Sequence, residues 1–152
     1  MGKLSVLVLL DLSAAFDTVD HILLHHLQHV FGIQGTVLSC VRSYLTKRFQ
    51  IVSTQDAQSD QIELCCGVPQ GSVLGPILFI LYTQPLTSFI KHPLSHMLYA
   101  DDMQVYKSFD LDDCLSSILC IEKCVSDVKT WMMSNKLQMN EDKTEVLLVT
   151  AK

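Results

Sequence analysis

Branched apolar residues run almost without interruption through Leu4–Leu12, LSVLVLLDL, and meet an acid, Asp11, at the end of the run. Such a segment predicts a central strand buried on both faces, because a half-exposed strand would alternate with polar residues. From Val19 to Phe31 the period becomes helical: Ile22, Leu23, Leu27, Val30 and Phe31 form one apolar stripe, and His21, His25 and His29 recur on another face. A second helix is expected at about Thr36–Lys47, with Val37, Val41, Tyr44 and Leu45 inward and Arg42, Lys47 and Arg48 outward. Phe49–Thr54 and Gln61–Cys65 flank a polar loop and read as a hairpin. The loop Gly67–Ser72, dense in special backbone residues, leads into an apolar helix at about Val73–Ile90, with Pro76 in its first turn.

The second half continues in the same manner. Met97–Tyr106 holds two strand-like pieces around Asp101-Asp102. Asp110–Met133 has the spacing of a long amphipathic helix, capped by Asp112 or Asp113, with Leu115, Ile118, Val125, Val128 and Met132 as its apolar face. Leu137–Met139 and Glu145–Thr150 read as closing strands, with Asn140–Lys143 as the turn between them. The order of elements points to an α+β fold.

The chain has 152 residues, 49% hydrophobic and 18% charged, with a formal charge of −5. This is a globular composition and a length for one domain, spanning 1–152, or part of one. The acidity argues against a self-sufficient nucleic-acid binder, which carries a basic excess. Six cysteines, with no CxxC pair, suggest buried free thiols in a reducing compartment rather than a zinc knuckle. Asp11 interrupts the N-terminal apolar run too early for a signal peptide, and the longest apolar run, Val73–Tyr82, is too short to span a bilayer, so no membrane association is expected.

The acids carry the candidate chemistry. Asp101 and Asp102 are adjacent in a tight hairpin, where two carboxylates repel unless a cation neutralises them. Oxygen ligands suit Mg²⁺. If the strands bearing Asp11 and the Asp101-Asp102 pair are neighbours, three carboxylates converge, the minimum for a two-metal site acting on a phosphate. Taken alone, Asp-Asp is an ordinary turn. The three histidines at helical spacing read as a solvated face, and Arg42, Lys47 and Arg48 either as a solvated face or as a small phosphate-contacting cluster.

Four ordered segments change the weight of that reading. Leu10–His21 (LDLSAAFDTVDH), Gly67–Phe79 (GVPQGSVLGPILF), Tyr99–Asp102 (YADD), and Trp131 with Asn135–Leu137 and Asn140–Thr144 follow one another along nearly the whole chain. In this order they resemble the catalytic motifs of the reverse transcriptase palm of non-LTR (LINE-type) retrotransposons, more than those of a group II intron maturase.

The resemblance implies a polymerase palm, a ferredoxin-like antiparallel sheet with helices packed on one face, lacking complete fingers and thumb. It implies RNA-directed DNA synthesis by a nucleotidyltransferase: two Mg²⁺ ions, with Mn²⁺ as a substitute, an RNA template, a DNA primer and deoxynucleoside triphosphates. By the same resemblance Asp11 and Asp101 bridge the metals, the Leu12 carbonyl adds a ligand and Asp102 completes the cluster. Ala14 and Ala15 offer backbone N–H groups to the triphosphate, and Phe16 is a steric gate against a 2′-hydroxyl. Gln70 and Gly71 lie near the incoming nucleotide, Tyr99 and Ala100 near the primer end, and Lys143 is a general acid to the leaving pyrophosphate. The family also implies intracellular action, in cytoplasm and nucleus. Fingers, thumb and endonuclease do not fit in 152 residues. The chain is therefore expected to be part of a longer polyprotein, inactive on its own, with a truncated, catalytically inactive retrotransposon remnant as the alternative.

Overall fold

A computed structural model describes residues 3–150, which fall into two compact units. The first unit, residues 3–15 with 83–150, is built on a four-stranded sheet. Its strands are β1 (Leu4–Ser13), β4 (Ser95–Tyr99), β5 (Asp102–Phe109) and β6 (Gln138–Thr150), ordered β4-β5-β1-β6 with every neighbouring pair antiparallel. The second unit, residues 16–82, holds the helices α1 (Ile22–His29) and α2 (Gly35–Leu45) and a small hairpin of β2 (Arg48–Gln50) and β3 (Ile62–Leu64). Helix α3 (Leu74–Phe89) runs through the division between them.

β1 is central, as its composition predicts, but it is buried on one face rather than two. Val6, Val8, Leu10 and Leu12 are buried, while Leu7, Leu9 and Asp11 between them stay partly exposed. The cause is a sheet covered on one side within its unit. Helix α4 (Cys114–Ser134) packs against the side carrying Val6 and Val8, bringing Ile118, Ile121 and Val125 towards them. The buried face of α4 is Ser117, Ile121, Cys124, Val128 and Met132. Leu115, expected inward, is 73% exposed. The small side chains of Ser117 and Cys124 allow the helix backbone to approach the sheet, which rotates Leu115 outward. Asp113 is the N-cap, but its side chain makes no capping bond, and the helix is entered through a 3₁₀ turn at Leu111–Asp113.

The largest departure is at the C-terminal end. The two closing strands are one strand, β6, and the polar Asn140–Lys143 stretch is not a turn. Asp11 pairs with Asn140 and Leu9 with Glu145, so Glu141–Thr144 stand opposite Leu10 alone, as a wide bulge. The Thr144 hydroxyl donates to the Asn140 carbonyl at 2.9 Å across its base. Lys129 of α4 donates to Glu141 within it, holding that carboxyl below its usual value.

In the second unit α1 is shorter than its apolar period. The Asp20 carboxylate accepts the Ile22 N–H at 2.8 Å and fixes the helix start there, leaving Val19 buried ahead of it. Leu23 and Leu27 form its buried stripe, whereas Ile22 and Val30 are exposed. In α2, Leu38 and Leu45 are buried and Val37 is exposed. No helix among the described residues is long and apolar enough to cross a membrane.

All six cysteines are free, but Cys124 alone is fully buried, and Cys40, Cys65 and Cys66 are exposed. Alkylation of the native chain followed by mass spectrometry is therefore expected to label Cys40, Cys65 and Cys66 first and Cys124 only after unfolding. Burial also pushes the Cys124 thiol up to about 11 from an ordinary value of 9.0. The folded state thus keeps a proton that the unfolded chain releases, and stability falls as pH rises from about 9 to about 11. Urea titrations across that window are expected to show a shallower loss in Cys124→Ala than in the parent chain.

Candidate active site

The β1–β5 ladder sets Leu10 opposite Met103 and brings the next residue of β1, Asp11, to the first residue of β5, Asp102. Both line a cleft of about 380 Å³ on the partly exposed face, together with Gln104, Asp142, Lys143 and Glu145. The bulge in β6 supplies Asp142 and Lys143, and Glu145 follows it in the ladder opposite Leu9. Lys143 Nζ lies 3.5 Å from Asp11 Oδ2. That oxygen is buried and accepts no hydrogen bond. An ionised oxygen shut away from water without a donor is costly unless a cation faces it. Here the one cation at hand, the Lys143 ammonium, is mostly solvent-exposed and sits at charge-contact distance only.

Asp101 occupies a different position. It is the second residue of the two-residue turn Ala100-Asp101 and is not among the residues lining this cleft. Ala100 has φ of +53°, a left-handed conformation costing a non-glycine residue about 1 kcal/mol. Tyr99, at the end of β4, is exposed. Leu12 is buried by its side chain and sits in the β1–β6 ladder. Ala14 turns the chain with φ of +49°, and Ala15 is buried. Among the described residues no three His, Cys, Asp or Glu side chains gather into a ready-made metal cage. Asp11 and Asp102 are brought together; the expected three-way convergence is not assembled.

The remaining site residues belong to the second unit. Phe16 packs on Phe79, ring centroids 5.2 Å apart and tilted by 42°. With Pro69, Gln70, Gly71, Ser72 and Gly75 it lines a cleft of about 400 Å³. Two loops are locked together to make it. The Val68 N–H donates to the Phe16 carbonyl at 2.8 Å and the Gly67 N–H to the Val19 carbonyl at 2.7 Å. Gln70 Nε2 donates to both carboxylate oxygens of Asp17, at 3.2 and 3.1 Å. Ser72 Oγ accepts the Gly75 N–H at 3.1 Å and so helps start α3. Arg48 is not an outward basic residue: its guanidinium donates to the carbonyls of Leu45, Cys66 and Gly67, bracing the base of the Gly67 loop.

Sequence reasoning assigned no role to Asp17, Asp142 or Glu145. Asp17 lies inside the first motif, directly after Phe16, and that adjacency was its only signal. Asp142 lies likewise inside the fourth segment, Asn140–Thr144, and Glu145, in the ladder opposite Leu9, carried no signal. Of the expected solvated histidine face, His25 and His29 are exposed, their ring centroids 4.2 Å apart and tilted by 35°, whereas His21, the N-cap of α1, is half-buried with its Nε2 shut away and without a hydrogen-bond partner. His26 faces Tyr82; burial and then the neighbouring His25 lower its pKa, while burial pushes the Tyr82 phenol up to about 12.

Over residues 1–152 the chain matches the family described as "Reverse transcriptase (RNA-dependent DNA polymerase)". It is 28% identical over 144 residues to the probable RNA-directed DNA polymerase from transposon BS of Drosophila melanogaster, covering 90% of this chain and 16% of that protein. Against the RNA-directed DNA polymerase from mobile element jockey of the same organism, identity is 30% over 142 residues, or 88% of this chain and 15% of the relative. The chain thus spans less than a fifth of the length of these relatives. Apo telomerase from Candida tropicalis, truncated from the C-terminal domain, superposes with a TM-score of 0.73 at 15% identity, over 98% of this chain and 31% of that one. At that identity the likeness concerns the fold, and it agrees with the palm-like α+β architecture expected from the motifs.

The locked loops make one residue critical. Gly67 has φ of +82°, and a Cβ built on it would lie 2.9 Å from the Asp17 carbonyl oxygen. Gly67→Ala is expected to destabilise the chain by about 1–3 kcal/mol, from strained φ and backbone overlap together. Urea unfolding followed by circular dichroism measures this, with Gly32→Ala, whose Cβ would meet nothing within 4 Å, as the open-space comparison.

Proposed function

The chain belongs to the reverse transcriptase (RNA-dependent DNA polymerase) family, and from that premise we propose that it is the palm of a non-LTR retrotransposon polymerase. In this reading it joins the α-phosphate of a deoxynucleoside triphosphate to a primer 3′-hydroxyl, directed by an RNA template. The observation that carries the proposal is the buried Asp11 Oδ2, which has no hydrogen-bond partner and shares a cleft with Asp102.

The donor set suits a hard divalent cation. Mg²⁺ is held by one or two carboxylates plus substrate phosphates and water rather than by an all-protein cage, which matches Asp11 and Asp102 brought together at one end of neighbouring strands with no cluster of three such ligands among the described residues. Asp11 and Asp102, with Asp101 in the adjoining turn and the Leu12 carbonyl, would hold two such ions. Bound there, Mg²⁺ supplies a lowered pKa for the primer hydroxyl and neutralises charge on the triphosphate.

The chain's own residues do the rest. Lys143, whose Nζ lies 3.5 Å from Asp11 Oδ2, would pass a proton from Nζ to the leaving pyrophosphate. Phe16, fixed against Phe79, closes one wall of its cleft to a 2′-hydroxyl. Gln70 and Gly71 on that cleft orient the nucleotide, Gly71 through the bare backbone of a residue with φ of +73°. Ala14 and Ala15 turn the backbone beneath the triphosphate, and Tyr99 with Ala100 meets the primer end.

Primer extension on an RNA template in Mg²⁺, with the chain joined to the fingers and thumb that its resemblance implies, tests the reading. Asp11→Asn and Asp102→Asn are each expected to lower extension roughly 100-fold, and Phe16→Ala to raise ribonucleotide incorporation relative to deoxynucleotide. Paramagnetic broadening by Mn²⁺ gives a second readout that needs no turnover: NMR signals around Asp11 and Asp102 should broaden in the parent chain and not in Asp11→Asn. Extension and broadening that persist in both carboxylate variants would overturn the proposal.

A further inference from the structure

Gln70 cannot orient anything unless its own amide is held one way round, and the residue that holds it lies outside the roles assigned above. Nε2 stands between the two Asp17 carboxylate oxygens, at 3.2 and 3.1 Å. The opposite rotamer would aim the amide oxygen at a carboxylate, two acceptors facing each other, so chemistry settles the assignment. With Nε2 turned to Asp17, one N–H shared between the two oxygens, the amide is held so that its acceptor, Oε1, faces away from the carboxylate. Asp17 is itself fixed: Gly67 packs against its backbone so closely that no Cβ fits, and its carbonyl accepts from the Cys66 thiol at 3.4 Å. Its neighbour Phe16 is tied to Val68 by the carbonyl bond and to Phe79 by ring packing. The motif carrying Phe16 and the motif carrying Gln70 are thereby cross-linked at the mouth of one cleft.

Asp17 and Gln70 are both exposed. A hydrogen bond there adds little net stability, because water replaces it readily. Its consequence is directional. We propose that Asp17 is a positioning residue for nucleotide selection: it locks the Gln70 amide so that the Phe16 cleft presents a hydrogen-bond acceptor to the incoming nucleotide. This rests on the nucleotide-site reading above and adds to it the residue that sets the polarity of the contact.

A charge-swapped pair separates this role from simple bracing of the loops. In Asp17→Asn two charged acceptors give way to one neutral amide oxygen and an NH₂, so the two amides can meet either way round and Gln70 is no longer held in one orientation. In the double variant D17N/Q70E an amide at position 17 can donate to a carboxylate at position 70, so the loop contact is restored while Oε1 of an amide is replaced by a charged oxygen. Binding of dGTP and of GTP to the full 152-residue chain, in Mg²⁺, is followed by NMR titration, with the Gln70 side-chain NH₂ signals as a direct reporter of the lock.

The expected result has three parts. The Gln70 NH₂ signals are shifted and slow to exchange in the parent chain and lose both properties in D17N. Affinity for dGTP falls about tenfold in D17N, the size of one lost oriented contact. D17N/Q70E regains the parent thermal midpoint but not the dGTP affinity. Full recovery of dGTP affinity in the double variant would make Asp17 a loop brace and overturn the inference while leaving the nucleotide site standing; so would unchanged affinity in D17N. A parent chain with a locked Gln70 amide that binds neither nucleotide would overturn the nucleotide-site reading itself, and this inference with it.

Discussion

β1 is hydrogen-bonded on both sides, to β5 from Leu4 to Leu10 and to β6 from Leu4 to Ser13. Side chains alternate along it, so a slip of one residue in either ladder would turn Asp11 into the core and a leucine out to the cleft. The four buried positions Val6, Val8, Leu10 and Leu12 oppose such a slip, because each would have to leave an apolar layer. Register is therefore enforced by the hydrophobic face, and the functional face inherits it. Asp11 reaches Asp102 because Leu10 sits opposite Met103, not because the two acids attract; like charges do the reverse.

The bulge in β6 is the second consequence of that register. β6 pairs with β1 on both sides of Leu10, and the four intervening residues are pushed out of the ladder. Asp142 and Lys143 stand among these four, and Glu145 closes the stretch in the ladder opposite Leu9. With them, a loop anchored at both ends projects a cation to within 3.5 Å of Asp11. The Lys129–Glu141 pair between α4 and the bulge is exposed and adds little to folding, but it limits where the bulge can swing.

The elements legible in the sequence were those set by local chemistry. The apolar run of β1, the apolar run of α3 behind its first-turn proline, the period of α4, and the glycine-rich loop before α3 each carry their own signal. The hidden features depend on partners far along the chain. Asn140–Lys143 has the composition of a turn, and only pairing with β1 on both sides makes it a bulge. Leu115 has the spacing of a core residue, yet Ser117 and Cys124 take the inner face because small side chains suit a helix lying close on a sheet. Arg48 looks like a solvated cation until the Gly67 loop, nineteen residues on, brings it carbonyls to bind. The hydrogen bond between Asp17 and Gln70 is hidden for the same reason: it lies across a loop-to-loop contact that no periodicity encodes.

Charge ties the cleft to the composition of the whole chain. Four carboxylates, Asp11, Asp102, Asp142 and Glu145, line it against one ammonium, Lys143. A bare triphosphate approaching these acids meets net repulsion, which is weakly screened where one of the oxygens is buried. A triphosphate carrying a divalent cation meets the opposite field, since the cation is what the acids lack. Under the proposed function the cleft thus selects the metal complex of the nucleotide over the free anion before any specific contact forms. A formal charge of −5 is consistent with that division of labour: a strongly basic surface at this point would favour the uncomplexed phosphate that the acids repel.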